Sequence, residues 1–319
     1  MKILANDGIS QSGIEALENE GFEVITTKVA QEQLVNYINE KQIDALLVRS
    51  ATKVRTALID ACPSLKLIGR GGVGMDNIDV TYAREKGLHV INTPGASSPS
   101  VAELVFAHLF SGVRFLHDAN RNMPMEGDSK FGSLKKAYAG GRELRGKTLG
   151  IIGFGRIGRE VAKIAFGLGM NVIASDMFID EANIELEFYD GRILTFTVET
   201  QPMEAVLKQS DLITLHVPAQ NDYVLSAKEF ALMKDGVGVI NAARGGVVDE
   251  TALMKALDDG KIAFAGLDVF EDEPKPSIKL LMHPKVSLSP HIGAATAEAQ
   301  DRIGVELAEQ IATLLKSKA

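Results

Sequence analysis

The chain has a single cysteine, no apolar stretch long enough to span a membrane, and no surplus of positive charge. Its 319 residues carry 34 lysines and arginines against 42 aspartates and glutamates, a formal net charge of −8. Cys62 alone cannot form an intramolecular disulfide framework, and the acidic balance argues against a broad nucleic-acid-binding face. The first residues, MKILANDGISQSG, contain no apolar core of signal-peptide length. We therefore expect a cytoplasmic protein with neither a nucleic-acid nor a membrane partner.

Several catalytic signatures are also missing. No cluster of cysteine and histidine has metal-ligand spacing, and neither HExxH nor GxSxG occurs. The segment from Gly141 to Thr148, GRELRGKT, does satisfy the P-loop pattern letter for letter. However, a phosphate-cradling loop follows a strand and opens a helix, whereas this segment precedes the apolar run TLGIIG. We therefore predict a turn at Gly146-Lys147, and neither a metal site nor an ATPase.

Two series of short apolar runs alternate with amphipathic segments along the chain. The first series lies between residue 2 and about 93, and the second begins at TLGIIGFG. Strands that alternate with helices predict an α/β fold with parallel, doubly wound sheets, and the length predicts two domains. We expect a long helix over about 98–117, a polar stretch over about 118–145, and a last helix over about 296–316 that returns to the N-terminal unit. The predicted domains are therefore 1–97 with 296–319, and 98–295.

A glycine-rich motif follows the first run of the second series. Gly153, Gly155 and Gly158 stand in GFGRIG, between the apolar run LGII and a helix-like segment that begins with Arg156 and Ile157. This strand-to-helix context is what a dinucleotide's pyrophosphate requires. Asp176 closes the next apolar run, NVIASD, where a carboxylate accepts from both ribose hydroxyls of NAD and repels the 2′-phosphate of NADP. The motif therefore predicts an NAD site.

Three polar residues follow later apolar runs of the same series. They are Arg244 in NAARGGVVDE, Glu273 in DVFEDEP and His291 in SPHIGAAT. If the runs are strands of one parallel sheet, the three side chains emerge at its carboxyl edge, where such sheets bind ligands. Hydride transfer between a hydroxy acid and nicotinamide needs a base, a cation for the carboxylate and a partner for the base. His291, Arg244 and Glu273 are predicted to be these catalytic groups, and His216, in LHVP, is predicted to lie near the nicotinamide or adenine.

The motifs GFGRIG, NAARGGVVDE, GLDVFEDEP and SPHIGA resemble those of the D-isomer-specific 2-hydroxyacid dehydrogenases over nearly the whole chain. The resemblance implies a Rossmann nucleotide-binding domain inserted in a flavodoxin-like substrate domain. It also implies a substrate-binding role for Arg244, a histidine-orienting role for Glu273 and an acid/base role for His291. The further cofactor-binding residues that it implies are Pro218, Ala242, Asp268 and Gly293, with Asp268 at the carboxamide.

More narrowly, VRSATKV, GRGGVGMDNID and HIGAATAEAQ resemble the phosphoglycerate dehydrogenase branch of that family. The substrate-binding residues that this implies are Arg49, Ser50, Arg70, Gly72, Val73 and Gly74. Arg49 and Arg70 each follow an apolar strand of the first domain, so both can face the cleft and hold a dianionic phosphate. The expected reaction is the NAD-dependent oxidation of 3-phospho-D-glycerate to 3-phosphohydroxypyruvate, the first step of serine biosynthesis.

Alternatives remain open at this stage. Within the enzyme class, the substrate could be glycerate, glyoxylate, hydroxypyruvate or lactate, and from another class the chain could be a non-catalytic NAD sensor. Ser97 and Tyr223 stand where many relatives have Asn and Thr, without removing a catalytic group. The chain stops after its last predicted helix, so no serine-sensing domain is expected. We expect a homodimer or larger homo-oligomer, with the helix over about 98–117 as a candidate interface.

Overall fold

The computed structural model describes residues 1–316 and separates them into two compact units. The first unit contains Met1–Ser100 and the residues from Ala294 onward, and the second contains Val101–Gly293. The sequence-based boundaries, 97/98 and 295/296, lie within a few residues of these divisions. Within the described residues, no helix is long and apolar enough to cross a membrane.

The first unit is built on a five-stranded parallel sheet with the strand order β2-β1-β3-β4-β5. Its strands are β1 (Lys2–Ala5), β2 (Glu23–Ile25), β3 (Ala45–Val48), β4 (Leu67–Arg70) and β5 (His89–Asn92). Its helices are α1 (Gln11–Asn19), α2 (Leu34–Lys41), α3 (Thr56–Ala61), α4 (Val80–Glu85) and, from the other end of the chain, α12 (Ala297–Lys316). The central strand β3 is buried along its whole length, because helices cover both faces of a doubly wound sheet.

The last helix packs on the N-terminal unit, and two glycines allow the close approach. Helix α12 buries an apolar face at a spacing of about four residues, which includes Ile303, Leu307 and Ile311. A Cβ atom on Gly13 of α1 would lie 2.7 Å from the Cα atom of Gly304 on α12. Any side chain at either position would therefore force the two helices apart.

The second unit contains a six-stranded parallel sheet with the order β13-β12-β11-β10-β6-β7 and a separate antiparallel hairpin of β8 and β9. Its strands are β6 (Thr148–Ile152), β7 (Asn171–Ser175), β8 (Glu181–Glu187), β9 (Ile193–Glu199), β10 (Leu212–Leu215), β11 (Val237–Asn241), β12 (Ile262–Leu267) and β13 (Val286–Leu288). Its helices are α5 (Ser98–Val113), α6 (Leu116–Ala137), α7 (Arg156–Gly167), α8 (Met203–Gln209), α9 (Ala227–Leu232), α10 (Glu250–Asp258) and α11 (Ile278–Leu281). The chain order reverses between β6 and β10, and such switch points are where doubly wound sheets bind ligands. The α/β class with doubly wound parallel sheets is thus confirmed.

One local prediction was wrong, and two elements were not anticipated. The helix predicted over about 98–117 ends at Val113, because Phe115 adopts a left-handed conformation with φ +56°. The polar stretch predicted after it is largely helical: it forms α6, which is kinked at Lys130 and has no fully buried residue. The hairpin of β8 and β9 was not anticipated either; it packs on α7, where the rings of Phe166 and Phe196 stack with centroids 4.4 Å apart. The predicted turn into β6 is present at Gly146, whose φ is +74°.

The contact between α1 and α12 generates a stability prediction. In Gly304→Ala, the added Cβ would overlap Ser10 Oγ, the group that caps α1, and would lie 3.0 Å from Gly13 Cα. We expect a loss of about 1 to 3 kcal/mol in the free energy of unfolding, because a packed interface cannot absorb the atom without moving. Chemical denaturation monitored by circular dichroism measures this change.

Gly132→Ala is the matched control, because this glycine also lies in a helix but a Cβ atom there would meet nothing within 4 Å. The control should be neutral or stabilise the protein by up to about 1 kcal/mol, the helix propensity difference. Equal stabilities for the two variants would contradict the proposed packing.

Candidate active site

The glycine-rich turn joins β6 to α7 at the switch point of the second sheet. Gly153 has φ +91°, and a Cβ atom there would lie 2.5 Å from the carbonyl oxygen of His216. A Cβ atom on Gly158 would overlap the carbonyl oxygen of Gly153, whereas one on Gly155 would meet nothing within 4 Å. The first and third glycines are thus required for the turn and its packing, and the second leaves open backbone at the start of α7, which begins with Arg156 and Ile157. This cradle fits a pyrophosphate.

Asp176 follows β7 and turns its carboxylate toward this cradle. Its Oδ2 accepts a hydrogen bond from the backbone N–H of Phe154 at 2.7 Å. Its Oδ1 accepts from Phe178 N at 2.8 Å and from Ile179 N at 3.2 Å. A carboxylate has about four acceptor positions, so a ribose hydroxyl can still be bound. The three backbone donors also hold the carboxylate in place.

His216 follows β10, directly beside the glycine-rich turn. Its backbone N–H donates to the carbonyl of Ile152 at 2.7 Å, and its Nε2 lies 3.0 Å from Thr214 Oγ1. Burial lowers the pKa of His216 to about 3, so the imidazole is neutral at neutral pH. Its buried Nδ1 has no hydrogen-bond partner among the described residues. A neutral ring with one unsatisfied nitrogen beside the turn fits a position that faces the cofactor. Pro218, also predicted to bind the cofactor, lies two residues later and is exposed.

The three predicted catalytic residues follow three neighbouring strands of this sheet. Arg244 follows β11, Glu273 follows β12 and His291 follows β13, and these strands are adjacent and parallel. Their carboxyl ends therefore lie at the same edge of the sheet. The strands therefore have the parallel, adjacent arrangement expected from the sequence. Which of the three side chains are in contact depends on the loops that follow the strands.

His291 and Glu273 are in direct contact. Nδ1 of His291 lies 2.8 Å from Oε2 of Glu273, while Oε1 of the same carboxylate accepts from Phe270 N at 3.1 Å. An ionised carboxylate can only accept, so Nδ1 carries the hydrogen, and Nε2 of the neutral ring is left to exchange a proton. The side chains of His291 and Glu273 are 43% and 37% exposed, so a substrate can reach them.

The loop that carries Arg244 is shaped by Asn241, the last residue of β11. The Asn241 side chain accepts from Ala243 N at 3.1 Å and donates to the carbonyl of Arg244 at 3.0 Å, which closes a turn around Ala242. The Arg244 guanidinium donates to the Ala243 carbonyl at 2.6 Å. A Cβ atom on Gly245 would overlap the carbonyl oxygen of Phe270. The absent side chain at position 245 therefore lets the Arg244 loop lie against the loop that holds Glu273.

Asp268, expected at the carboxamide, is almost fully buried, and its carboxylate accepts three hydrogen bonds from the protein. The donors are Ser289 Oγ at 2.6 Å, Ile292 N at 2.8 Å and Gly293 N at 2.9 Å. Sequence reasoning placed Asp268 and Gly293 in the site but missed Ser289. A serine just before Pro-His carries no signal that distinguishes it from an ordinary strand end.

The predicted substrate residues of the first unit lie at the carboxyl edge of its own sheet. Arg70 ends β4, and its Nη1 donates to the Gly71 carbonyl at 2.9 Å. The guanidinium lies over Gly72, where φ is +139° and a Cβ atom would overlap Nη1. Arg49 follows β3, and a Cβ atom on Gly71 would lie 3.7 Å from Arg49 Cγ. The two arginines therefore lie along one short glycine segment, next to the exposed Val73 and partly exposed Gly74, and Ser50 is exposed as well.

Asp7 supports this edge of the first unit. Its Oδ2 accepts from Arg49 N at 2.7 Å and from Thr52 N at 3.1 Å. Asn77 donates to the carbonyls of Arg49 and Thr52. The backbone of the Arg49 loop is thus held from both sides while its side chain reaches outward. Within the described residues, no group of histidines, cysteines and carboxylates could hold a metal ion.

Comparisons with known proteins show the family to which the chain belongs. The family described as "D-isomer specific 2-hydroxyacid dehydrogenase, NAD binding domain" matches residues 106–293. Hydroxypyruvate reductase of Thermotoga maritima is 43% identical over 316 residues, which are 97% of each chain. D-3-phosphoglycerate dehydrogenase of Archaeoglobus fulgidus is 40% identical over 99% of this chain, but the match covers only 58% of that relative's length.

Among solved structures, D-lactate dehydrogenase from Aquifex aeolicus, complexed with NAD and lactic acid, has 30% identity and a TM-score of 0.75, with coverage of 99% of this chain and 96% of the other. The fold, the glycine-rich turn and these matches define an NAD-dependent oxidoreductase. The chain belongs to the D-isomer-specific 2-hydroxyacid dehydrogenase family.

The position of Asp176 generates a prediction about cofactor preference. In Asp176→Asn, the side chain can still accept from Phe154 N but no longer repels a phosphate on the ribose. We expect the ratio of kcat/KM for NADP to that for NAD to rise about tenfold or more, equivalent to about 1.4 kcal/mol. Steady-state kinetics with both cofactors measure the ratio, and Asp180→Asn, at an exposed neighbour, is the control. An unchanged ratio in Asp176→Asn would remove this residue from the cofactor site.

The lowered pKa of His216 generates a prediction about pH. Because the folded-state pKa is about 3, the unfolded chain binds a proton below about pH 6.5 that the folded protein does not. Stability therefore falls as the pH drops through this window. The expected loss from His216 between pH 7 and pH 5 is about 1 to 2 kcal/mol. His216→Gln should lack this part of the loss in urea titrations of the cofactor-free protein, and parallel pH profiles for variant and wild type would contradict the assignment.

Proposed function

We propose that the protein oxidises 3-phospho-D-glycerate to 3-phosphohydroxypyruvate, with His291 as the acid/base and Arg244 bound to the substrate carboxylate. The observation that carries the acid/base role is the 2.8 Å contact between His291 Nδ1 and Glu273. It fixes the tautomer whose Nε2 accepts the hydroxyl proton. Nicotinamide, when bound, supplies the hydride acceptor. The hydroxyl proton goes to Nε2 of His291 as the C–H electron pair leaves C2, and the imidazolium that forms is stabilised by Glu273.

The phosphate assignment rests on Arg49 and Arg70. Their side chains run along Gly71 and Gly72, and two guanidinium groups at the end of adjacent strands match the charge of a phosphate dianion. Similarity to phosphoglycerate dehydrogenases over 99% of the chain supports the same substrate. Because the chain spans 58% of that relative, the relative's activity enters here as part of the proposal.

A second candidate is the reduction of hydroxypyruvate, the same carbon skeleton without the phosphate. It is favoured by the hydroxypyruvate reductase that matches 97% of both chains at 43% identity. The two candidates use the same proton and hydride chemistry. They differ only in whether the arginines of the first unit bind a phosphate.

A comparison of substrates with and without phosphate separates the candidates. NADH formation would be followed with 3-phospho-D-glycerate and with D-glycerate, in the wild type and in Arg70→Ala and Arg49→Ala. We expect each arginine variant to lose about tenfold to a hundredfold in kcat/KM for phosphoglycerate, because this factor corresponds to the free energy of a hydrogen bond to a charged group. The loss in kcat/KM for glycerate should be much smaller. Equal losses for both substrates, or a wild type that prefers glycerate, would support the second candidate.

Two further variants complete the experiment. Lys53→Ala removes an exposed cation four positions from Arg49 and should leave both kcat/KM values nearly unchanged. His291→Asn should abolish turnover of every hydroxy acid while NADH binding, measured by fluorescence, persists. A wild-type chain that binds NADH but turns over no 2-hydroxy acid would instead identify an NAD sensor.

A further inference from the structure

We infer that His108 and Ser289 form a buried hydrogen-bonded relay that acts through Asp268. The relay positions residues 291–293, here called the catalytic loop, so that His108 is a positioning residue for His291. The inference rests on the acid/base role of His291 proposed above. His108 lies on α5 and is 4% exposed. Its contact with Ser289 joins residues separated by 181 positions in the sequence. Every group in the relay belongs to the second unit.

The relay ends on the backbone of the catalytic loop. Asp268 accepts from three consecutive N–H groups: its carbonyl from His291 N at 2.8 Å, and its carboxylate from Ile292 N and Gly293 N. His291 has φ +54°, a left-handed conformation that costs a residue with a Cβ atom about 1 to 2 kcal/mol. The bonds to Asp268 therefore hold His291 in a conformation that it would otherwise leave. The orientation of Asp268 thus sets where the imidazole points.

Hydrogen counting fixes the direction of the two bonds that join His108, Ser289 and Asp268. Ser289 lies 2.6 Å from an Asp268 oxygen that can only accept, so the serine donates its single hydrogen there. Nε2 of His108 lies 2.9 Å from the same serine oxygen and must therefore be the donor. Nδ1 of a neutral His108 is then an acceptor, and it lies 2.9 Å from Ser287 Oγ, which is also 3.3 Å from Ser111 Oγ. Burial lowers the pKa of His108, with Asp268 opposing the effect, which agrees with the neutral tautomer.

The surrounding sheet is shaped to admit this histidine. Gly266 of β12 lies beneath it, and a Cβ atom at that position would be 2.6 Å from the Cβ atom of His108. The glycine leaves room for the ring, whose two nitrogens lie 2.9 Å from Ser287 on β13 and from Ser289 just after that strand. An apolar residue at position 108 would fill the same space but would leave the Ser289 oxygen without its donor in a buried site.

The two serines provide a matched pair of variants. Ser287 and Ser289 are both buried and both lie 2.9 Å from the same imidazole, but only Ser289 contacts Asp268. Ser287→Ala and Ser289→Ala should lower the melting temperature by similar amounts. Only Ser289→Ala should lower kcat, by about tenfold or more, because a small displacement of a reacting group has a large kinetic cost. The KM for the hydroxy acid should change less than kcat.

Rescue at position 108 gives a readout that a purely structural role would not produce. The amide nitrogen of Gln reaches the position of Nε2 and can donate to Ser289, whereas Asn reaches only the position of Nδ1. His108→Gln should therefore keep most of the wild-type kcat, and His108→Asn should lose as much as Ser289→Ala. Melting temperatures confirm that each variant is folded at the assay temperature, and kcat is normalised to the folded enzyme.

Two outcomes overturn the inference. If Ser289→Ala keeps the kcat of Ser287→Ala, or if the Gln and Asn variants at position 108 have equal kcat, the relay does not position the loop. His291→Asn distinguishes this failure from failure of the proposed function. An inactive His291→Asn beside an active Ser289→Ala refutes the relay alone, whereas an active His291→Asn refutes the acid/base role and the relay with it.

Discussion

Three consecutive backbone N–H groups that converge on Asp268 are the constraint on which the loop carrying His291 depends. A carboxylate that is 1% exposed is costly unless hydrogen bonds replace its water shell. Here two of those N–H groups and Ser289 supply them to the side chain, and the third N–H group, that of His291, bonds to the carbonyl. The same bonds that stabilise the buried charge therefore force the backbone into the left-handed turn at His291. The hydrogen bonds that satisfy the buried carboxylate of Asp268 are therefore also the bonds that place the His291 imidazole.

Bonds between side chain and backbone also set the other loops of this edge. Asn241 closes the turn before Arg244, and Oε1 of Glu273 accepts from the backbone of its own loop. Glu250 and Glu271 exchange a reciprocal pair, in which each carboxylate accepts from the other residue's N–H at 2.8 and 3.0 Å. Burial, the largest effect on Glu250, raises the pKa of its carboxyl group. The parallel strands bring the loops to one edge of the sheet, and these hydrogen bonds then fix the conformation of each loop.

Much of this arrangement could be predicted because its signals are local. A glycine turn between strand and helix, an Asp at the next strand end, and polar residues just after apolar runs are patterns within a few residues of each other. His108 could not be found in this way, since its partners lie 179 and 181 positions away, and a histidine on an apolar helix face resembles any packed residue. Helix α6 was missed because it has no fully buried residue and so lacks the apolar periodicity of a core helix.

The residues proposed for hydride and proton transfer lie in one unit and those proposed to select the substrate lie in the other. This separation explains why the substrate is harder to infer from similarity than the reaction type. The glycine turn, Asp176 and the pair of His291 and Glu273 all lie in the second unit, and the family match, 106–293, falls entirely within it. Arg49 and Arg70, which we propose bind the phosphate of a phosphorylated acid, lie in the first unit. Relatives named for different substrates can therefore have nearly equal identity to this chain, 43% and 40%. Overall identity counts every position equally, so the few cations proposed to select the substrate contribute little to it. Substrate preference must therefore be tested by substitution of Arg49 and Arg70 and by comparison of kcat/KM for the two substrates.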